Sequence, residues 1–531
     1  MKIKVLFLLF IILISACDLH AYDGYKRNLN VDVIHYEFAV SVNDTTDRIE
    51  GKALITVRFL NPVDSILFDF VKINSQGKGM NVSDVSIDSK SVKWNHVKDL
   101  LVINFTKKPG ISDTLVFEIN YNGIPADGLI ISKNKFGHRT FFADHWPDRA
   151  HNYLPCIDHP YDKATVDFII TAPNKYKVVG SGIMPEEPLV NGKITSTFWH
   201  ESVPLSTKVM AFGVADFSYQ VTGSINNIPV STWVFPENSK EGFFDYSVAV
   251  KPLEFYNKVI GDYPYKKLAN VQSKTIYGGL ENAGTIFYSE KSVTGAGKAE
   301  GLIAHEIAHQ WFGDCVTEVD WHHIWLSEGF ATYLTSMYFE AFEGKDRMMK
   351  DMISARTRVL RYSEMNLKPV IDTTITSYMD LLNPNSYQKG AWILHMLRHD
   401  VGNEIFINGL RLFYKRFYNS NADTDDFQKV MEEVSHKDLT DFFKQWLRTA
   451  GEPELSITQK NLKKKVTEIS VEQKQEHLFS FDLELLIKDS SGQTIKNITV
   501  NERVTKIIVR SGDRLEIIPD PNVILLFKKF D

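Results

Sequence analysis

The stretch Ala304-His305-Glu306-Ile307-Ala308-His309-Gln310-Trp311-Phe312-Gly313 constrains this chain more than any other. It sets H-E-x-x-H in an apolar, helix-forming run that closes on a glycine. Residues four apart share a helix face, so His305 and His309 can present two imidazoles to one metal ion. Glu306 is then a spare carboxylate, able to take a proton from a metal-bound water. A catalytic zinc site needs a third protein ligand and an open fourth position. Eighteen residues separate His309 from Glu328, which lies in a second helical run, Ile324-Trp325-Leu326-Ser327-Glu328-Gly329-Phe330-Ala331-Thr332-Tyr333. That gap accommodates a loop and an antiparallel return, which turns Glu328 toward the two histidines.

The metzincin pattern does not apply. It needs a Gly and a third His at set positions past the second His, and this chain has Phe312 and Cys315 there. A chance H-E-x-x-H on an ordinary amphipathic helix is the competing reading of the bare motif. Glu328 and two further motifs, described below, argue against it. His322 and His323 lie near the ligands in sequence and read as packed or surface histidines.

A chain of 531 residues is too long for one core and suits about three domains. Apolar content of 44% and charged content of 24% are those of an ordinary globular protein. Lys and Arg total 60 against 66 Asp and Glu, and no basic tract stands out, which excludes a nucleic-acid partner. The three cysteines, Cys17, Cys156 and Cys315, make no disulfide framework. Cys156 and Cys315 sit in apolar surroundings and read as buried thiols.

Residues 1–16 read as a signal peptide. Lys2 and Lys4 supply its positive end, and Val5 to Ile14 an apolar core too short to span a bilayer. Ile14-Ser15-Ala16-Cys17 resembles a bacterial lipobox, in which the Cys carries lipid and becomes the mature N-terminus. A plain signal peptide cleaved near Ala21 is the rival reading. The expectation is an exported protein of the cell envelope, anchored to a bacterial membrane through Cys17 without spanning it.

The rest of the chain divides by pattern. Residues 22–215 carry short alternating strands, such as Tyr36–Val42, Ala53–Phe59 and Thr165–Thr171, separated by turn signals. Residues 216–452 read as a few strands, including Val230–Phe235 and Val271–Ile276, with a long helix around Lys240–Ile260 between them. The metal-site helices follow, at about Lys298–Phe312 and Leu326–Phe342. The chain is then nearly all helix, with one run at Ser386–His399. Residues 453–531 return to short strands, read as a small C-terminal β-sandwich. The class is multidomain α+β.

His305-Glu306-x-x-His309 followed by Trp325-x-x-Glu328-Gly329 resembles the aminopeptidase N family of gluzincin zinc metallopeptidases. The resemblance runs from about residue 30 to the end. It implies an N-terminal antiparallel β saddle, a thermolysin-like catalytic domain and one zinc per chain. It also implies hydrolysis of N-terminal residues from peptides. Gly278-Gly279-Leu280-Glu281-Asn282 resembles the family's substrate-strand motif, Gly-Ala-Met-Glu-Asn. Such a strand edge pairs with an extended peptide, and the Glu281 carboxylate binds the free α-ammonium group. Tyr387-Gln388-Lys389-Gly390 resembles the family's Tyr-x-Lys-Gly, which assigns Tyr387 to the tetrahedral oxyanion and leaves Lys389 structural.

Some positions depart from the family pattern. Gly279 and Leu280 replace its Ala and Met, which changes the first side-chain pocket. Thr335 stands where many relatives have a Glu that supports the ligands. Trp146 stands where relatives place a Gln or Glu that helps hold the substrate amine, with Asp144 and Asp148 as nearby substitutes or Trp146 as a pocket wall. Large relatives carry a further helical domain over the site. The expectation here is a chain without it and a more open cleft. Two other functions compete with the aminopeptidase reading: a zinc endopeptidase, which Glu281 argues against, and a non-catalytic, membrane-tethered peptide-binding protein, which the intact Glu306 and Tyr387 argue against.

Overall fold

The computed structural model describes residues 23–463, 465–490, 492–510 and 515–530. The export signal and Cys17 lie outside them. No helix of the described residues is long and apolar enough to cross a membrane.

The N-terminal β region is built on a broad sheet. Its strands run in the order Leu189–Asn191, Ile194–Leu205, Ala164–Pro173, Val31–Ser41, Ile49–Phe59, Thr114–Ile124, Gly79–Ile87 and Lys90–Ser91. Side chains alternate between buried and half-buried along Ala164–Pro173, as a strand with one covered face requires. The expected antiparallel saddle has one exception. Val31–Ser41 pairs in parallel with Ala164–Pro173, with Phe38 opposite Phe168. Alternation fixes which face a strand buries and is silent on its direction.

The next sheet runs in the order Ser218–Ile225, Ile228–Val234, Leu268–Ser273, Thr285–Ser289 and Gly279–Leu280. Gly279–Leu280 is therefore an edge strand, with Gly279 opposite Tyr288. The single helix expected around residues 240–260 is two, Ser239–Tyr246 and Val250–Val259, joined by the turn Ser247–Ala249. Pro252 explains the break: it has no N–H for the carbonyl of Val248, and its ring crowds that carbonyl.

The helices Glu300–His309 and Trp325–Glu343 then pack together. The last β region joins the catalytic helices through Arg356, which pairs with Asp520, and through His395, whose Nε2 lies 2.9 Å from Val523 O.

Three ties hold the N-terminal β region onto the loop after the first metal-site helix. Lys163 Nζ donates to the carbonyls of Asp314 and Cys315 at 3.0 and 2.7 Å. Asp23 accepts from His159 Nε2 at 2.8 Å and from the Trp321 amide at 3.2 Å. Lys208 Nζ meets Glu318 Oε1 at 2.5 Å, with both side chains out of solvent. The last tie generates a prediction. Lys208→Met should leave Glu318 buried without its cation and destabilise the protein by about 3–5 kcal/mol, read from the urea midpoint. Adding Glu318→Leu should recover most of that loss; a double variant as unstable as the single one would show that the charge pair is not the cause.

Candidate active site

The helix Glu300–His309 is apolar almost all round and is buried on most faces. It ends at His309, and the turn that follows holds Gly313, whose φ of +125° suits glycine. A Cβ at Gly313 would stand 2.4 Å from Ser327 Oγ and 3.0 Å from His309 Nδ1. Glycine therefore lets Ser327, at the start of the second helix, reach the histidine. Ser327 Oγ and His309 Nδ1 are 3.0 Å apart.

His305 Nε2 and His309 Nε2 lie 3.1 Å apart. Glu328 Oε2 lies 3.4 Å from the first and 3.3 Å from the second. Tetrahedral zinc at about 2.0–2.1 Å from N and O ligands requires ligand atoms about 3.3–3.4 Å from one another. The three residues therefore fit zinc in both chemistry and spacing, and they are the cluster able to hold a metal among the described residues.

The ligands open on a cavity of about 240 Å³. Glu306 lines it and rests against Gly279, where a Cβ would fall 2.2 Å from its Oε1. Burial, reinforced by Glu281 and Glu328, pushes the Glu306 carboxyl well above the usual carboxylate range. Gly278, Gly279 and Glu281 line the same cavity. Glu281 Oε1 is buried and has no hydrogen-bond partner. An orphaned carboxylate oxygen facing a cavity is a site for a cationic donor.

Tyr387 also lines the cavity. The helix expected over Ser386–His399 begins instead as a π-type turn, Asn385–Lys389, followed by the helix Gly390–Val401. Gly390 touches Gly329, the residue after Glu328; a Cβ on either would come within 2.9 Å of the other's Cα. That close approach carries Tyr387 to the ligands, where its ring stacks on His305 with centroids 6.1 Å apart. Burial, then Glu328 and Glu281, raise the Tyr387 phenol well above its ordinary range, so it stays protonated as a donor.

Other sequence candidates fall elsewhere. Asn282 is buried and is not part of the cavity wall. Asp144 is held by Arg149, by Thr275 Oγ1 at 2.9 Å and by the Ile276 amide at 3.2 Å. Asp148 lies outside the wall; burial and Asp158 raise its carboxyl to about 7. Trp146 is the residue of that loop that lines the cavity. His322 is packed between Asp320 and Ile375 O, and His323 against Thr424. Lys389 Nζ donates to Gly451 O at 2.7 Å, a structural role. Thr335 bonds back to Ala331 O in its own helix. Cys156 and Cys315 are buried free thiols.

Sequence reasoning missed Ser327 and Gln310. Gln310 is fully buried. Its Nε2 donates to Glu281 O at 2.7 Å and to Asp314 Oδ2 at 2.8 Å, while its Oε1 accepts from the Gly284 amide at 2.8 Å. It thereby locks the strand that carries Glu281 to the helix that carries the histidines. A polar residue in the otherwise apolar run after His309 was the available signal.

With Nε2 on a metal, His309 Nδ1 carries the proton and donates to Ser327. Ser327→Ala should therefore weaken zinc binding about 10–100-fold, measured by competition with a chelating dye.

Comparison with known proteins agrees with this geometry. The Peptidase M1 N-terminal domain matches residues 33–209, and the Peptidase family M1 domain matches residues 244–446. A glutamyl aminopeptidase of Bitis rhinoceros is 32% identical over 332 residues, 59% of this chain and 35% of its own. Aminopeptidase 2, mitochondrial, of Saccharomyces cerevisiae is 25% identical over 459 residues, 81% of this chain and 47% of its own. The chain thus spans 35–47% of the length of these curated relatives. The crystal structure of Legionella pneumophila aminopeptidase A in complex with aspartic acid shares the fold, with a TM-score of 0.82 over 96% of this chain and 61% of that one at 19% identity. Two matched domains, the His-His-Glu cluster and the shared fold lead to one conclusion: the chain belongs to peptidase family M1.

Proposed function

We propose that the protein is a zinc-dependent aminopeptidase that hydrolyses N-terminal residues from peptides. The observation that carries this reading is the orphaned Glu281 Oε1 in the cavity onto which the metal ligands open. An ammonium group is its natural partner, and a peptide has one at its N-terminus. The names of the relatives, aminopeptidase and glutamyl aminopeptidase, support the same substrate class.

His305, His309 and Glu328 would hold the ion, one per chain. When bound, zinc supplies a Lewis acid that polarises the scissile carbonyl and acidifies a water. Gly278 and the edge strand Gly279–Leu280 offer backbone groups to the extended substrate. Glu281 fixes the amine and so sets which peptide bond is cut. Glu306 takes the proton of the attacking water and passes it to the leaving amine. Tyr387 donates a hydrogen bond to the developing oxyanion.

Glu306→Gln should keep its zinc and lose turnover; loss of the metal, or retained activity, would overturn this division of roles. A charge-assisted hydrogen bond is worth about 1.5–3 kcal/mol, or about 10–100-fold in kcat/KM. N-acetylated peptides should be slower by that factor, and Glu281→Ala should erase the difference between free and blocked peptides. If the wild-type enzyme cuts both equally fast, the zinc endopeptidase reading replaces this one.

We also propose export to the cell envelope and lipid attachment at Cys17. The support is the sequence of residues 1–17: a basic start, an apolar core and Ile14-Ser15-Ala16-Cys17. Detergent phase partitioning should place the wild type in the detergent phase and Cys17→Ser in the aqueous phase. Aqueous partitioning of both would overturn the anchor.

A further inference from the structure

Trp146 reaches the cavity from the N-terminal β region, while the rest of the wall belongs to the catalytic region. It is rigidly held. Its carbonyl accepts from Arg149 Nε at 2.8 Å and from Tyr277 Oη at 3.1 Å. Its indole packs edge-on against Tyr277 and Trp321, with centroids 5.9 and 5.5 Å apart. Only 2% of it is exposed. Leu280, Leu302 and Leu382 extend the apolar wall.

The charged groups of the wall are Glu281, Glu306 and Glu328, and no Lys or Arg is among its described residues. A divalent ion on neutral imidazoles and the substrate's own ammonium balance these three carboxylates, which leaves no positive charge over for an acidic side chain. Two nearby cations are already committed. Arg149 lies over the Tyr277 ring at 5.9 Å and is paired with Asp144 and Asp127. Lys208 is paired with Glu318. An acidic first side chain would therefore enter a wall with no Lys or Arg to meet it; the Trp146 indole N–H, buried without a hydrogen-bond partner, is a neutral donor and does not replace a counter-charge. An apolar side chain meets indole, phenol and leucine surface.

We propose that the first-residue subsite takes apolar side chains, rejects acidic ones, and owes this preference to Trp146. This rests on the aminopeptidase reading, and the test separates the two. Leucyl-, methionyl-, phenylalanyl- and glutamyl-aminomethylcoumarin are compared on the zinc-loaded wild type. The expected kcat/KM ratio of Leu to Glu is on the order of a hundredfold or more. Trp146→Gln, which removes apolar surface and adds hydrogen-bonding groups, should lower that ratio at least about tenfold; Trp146→Phe should hold it within about threefold. Zinc content of each variant confirms a formed site. Wild-type enzyme that cleaves Glu as readily as Leu overturns the proposal while the aminopeptidase reading stands. A Gln variant with the wild-type ratio overturns the assignment to Trp146. No cleavage of any substrate removes the aminopeptidase reading and this proposal with it.

Discussion

Two imidazoles from one helix and a carboxylate from the next, 3.1–3.4 Å apart, with His309 and Glu328 buried and His305 partly so, set the terms for the structure around them. Buried ionisable groups cannot be left to water, so each must meet a partner of the right charge or hydrogen-bonding type. A divalent ion satisfies all three together. Holding them in place requires two helices to approach closely at Ser327 and Gly313, and a third segment to approach at Gly390 and Gly329. Small residues appear where backbones touch, because a Cβ would push the ligands apart.

The site concentrates negative charge. Glu281, Glu306, Glu328, Asp314 and Glu318 are all buried within a short span of the metal ligands. The protein offsets this with cations brought from the other region. Lys208 meets Glu318 directly, and Lys163 caps the carbonyls of Asp314 and Cys315. Gln310 carries no charge but connects Glu281, Asp314 and the histidine helix through hydrogen bonds. The position of Glu281 and the position of the His305-His309-Glu328 cluster are thereby one mechanical property.

The cavity is also not the property of one domain. Trp146 comes from the β region, and the loop behind it is tied to the catalytic loop through Asp23, His159 and Trp321. Interfaces between domains of one chain are often slack. Here the buried Lys208–Glu318 pair, the hydrogen bonds of Asp23 and the edge-on contact of Trp146 with Trp321 remove the slack beside the cavity wall.

The clustering of His305, His309 and Glu328 was legible in the sequence, because a helix of fixed pitch turns the spacing of His305 and His309 into a shared face. The strand pattern of residues 22–215 was legible because a covered face imposes a period of two. Local pattern ran out where partners lie far apart in the chain. Ser327 finds His309 18 residues away, Gln310 finds Glu281 29 away, and Lys208 finds Glu318 110 away. The parallel pairing of the first long strand and the π-type turn under Tyr387 belong with these; the helix break before Pro252 is a local effect that the pattern reading missed. Trp146, Asp144 and Asp148 were equal candidates by position. Folding gave Asp144 to Arg149, left Asp148 off the cavity and put Trp146 in its wall. The sequence by itself determined the metal chemistry, since that depends on residue types at short, helix-set intervals. Tertiary structure alone decided the surface a substrate meets, since a pocket wall is made by residues that only packing brings together.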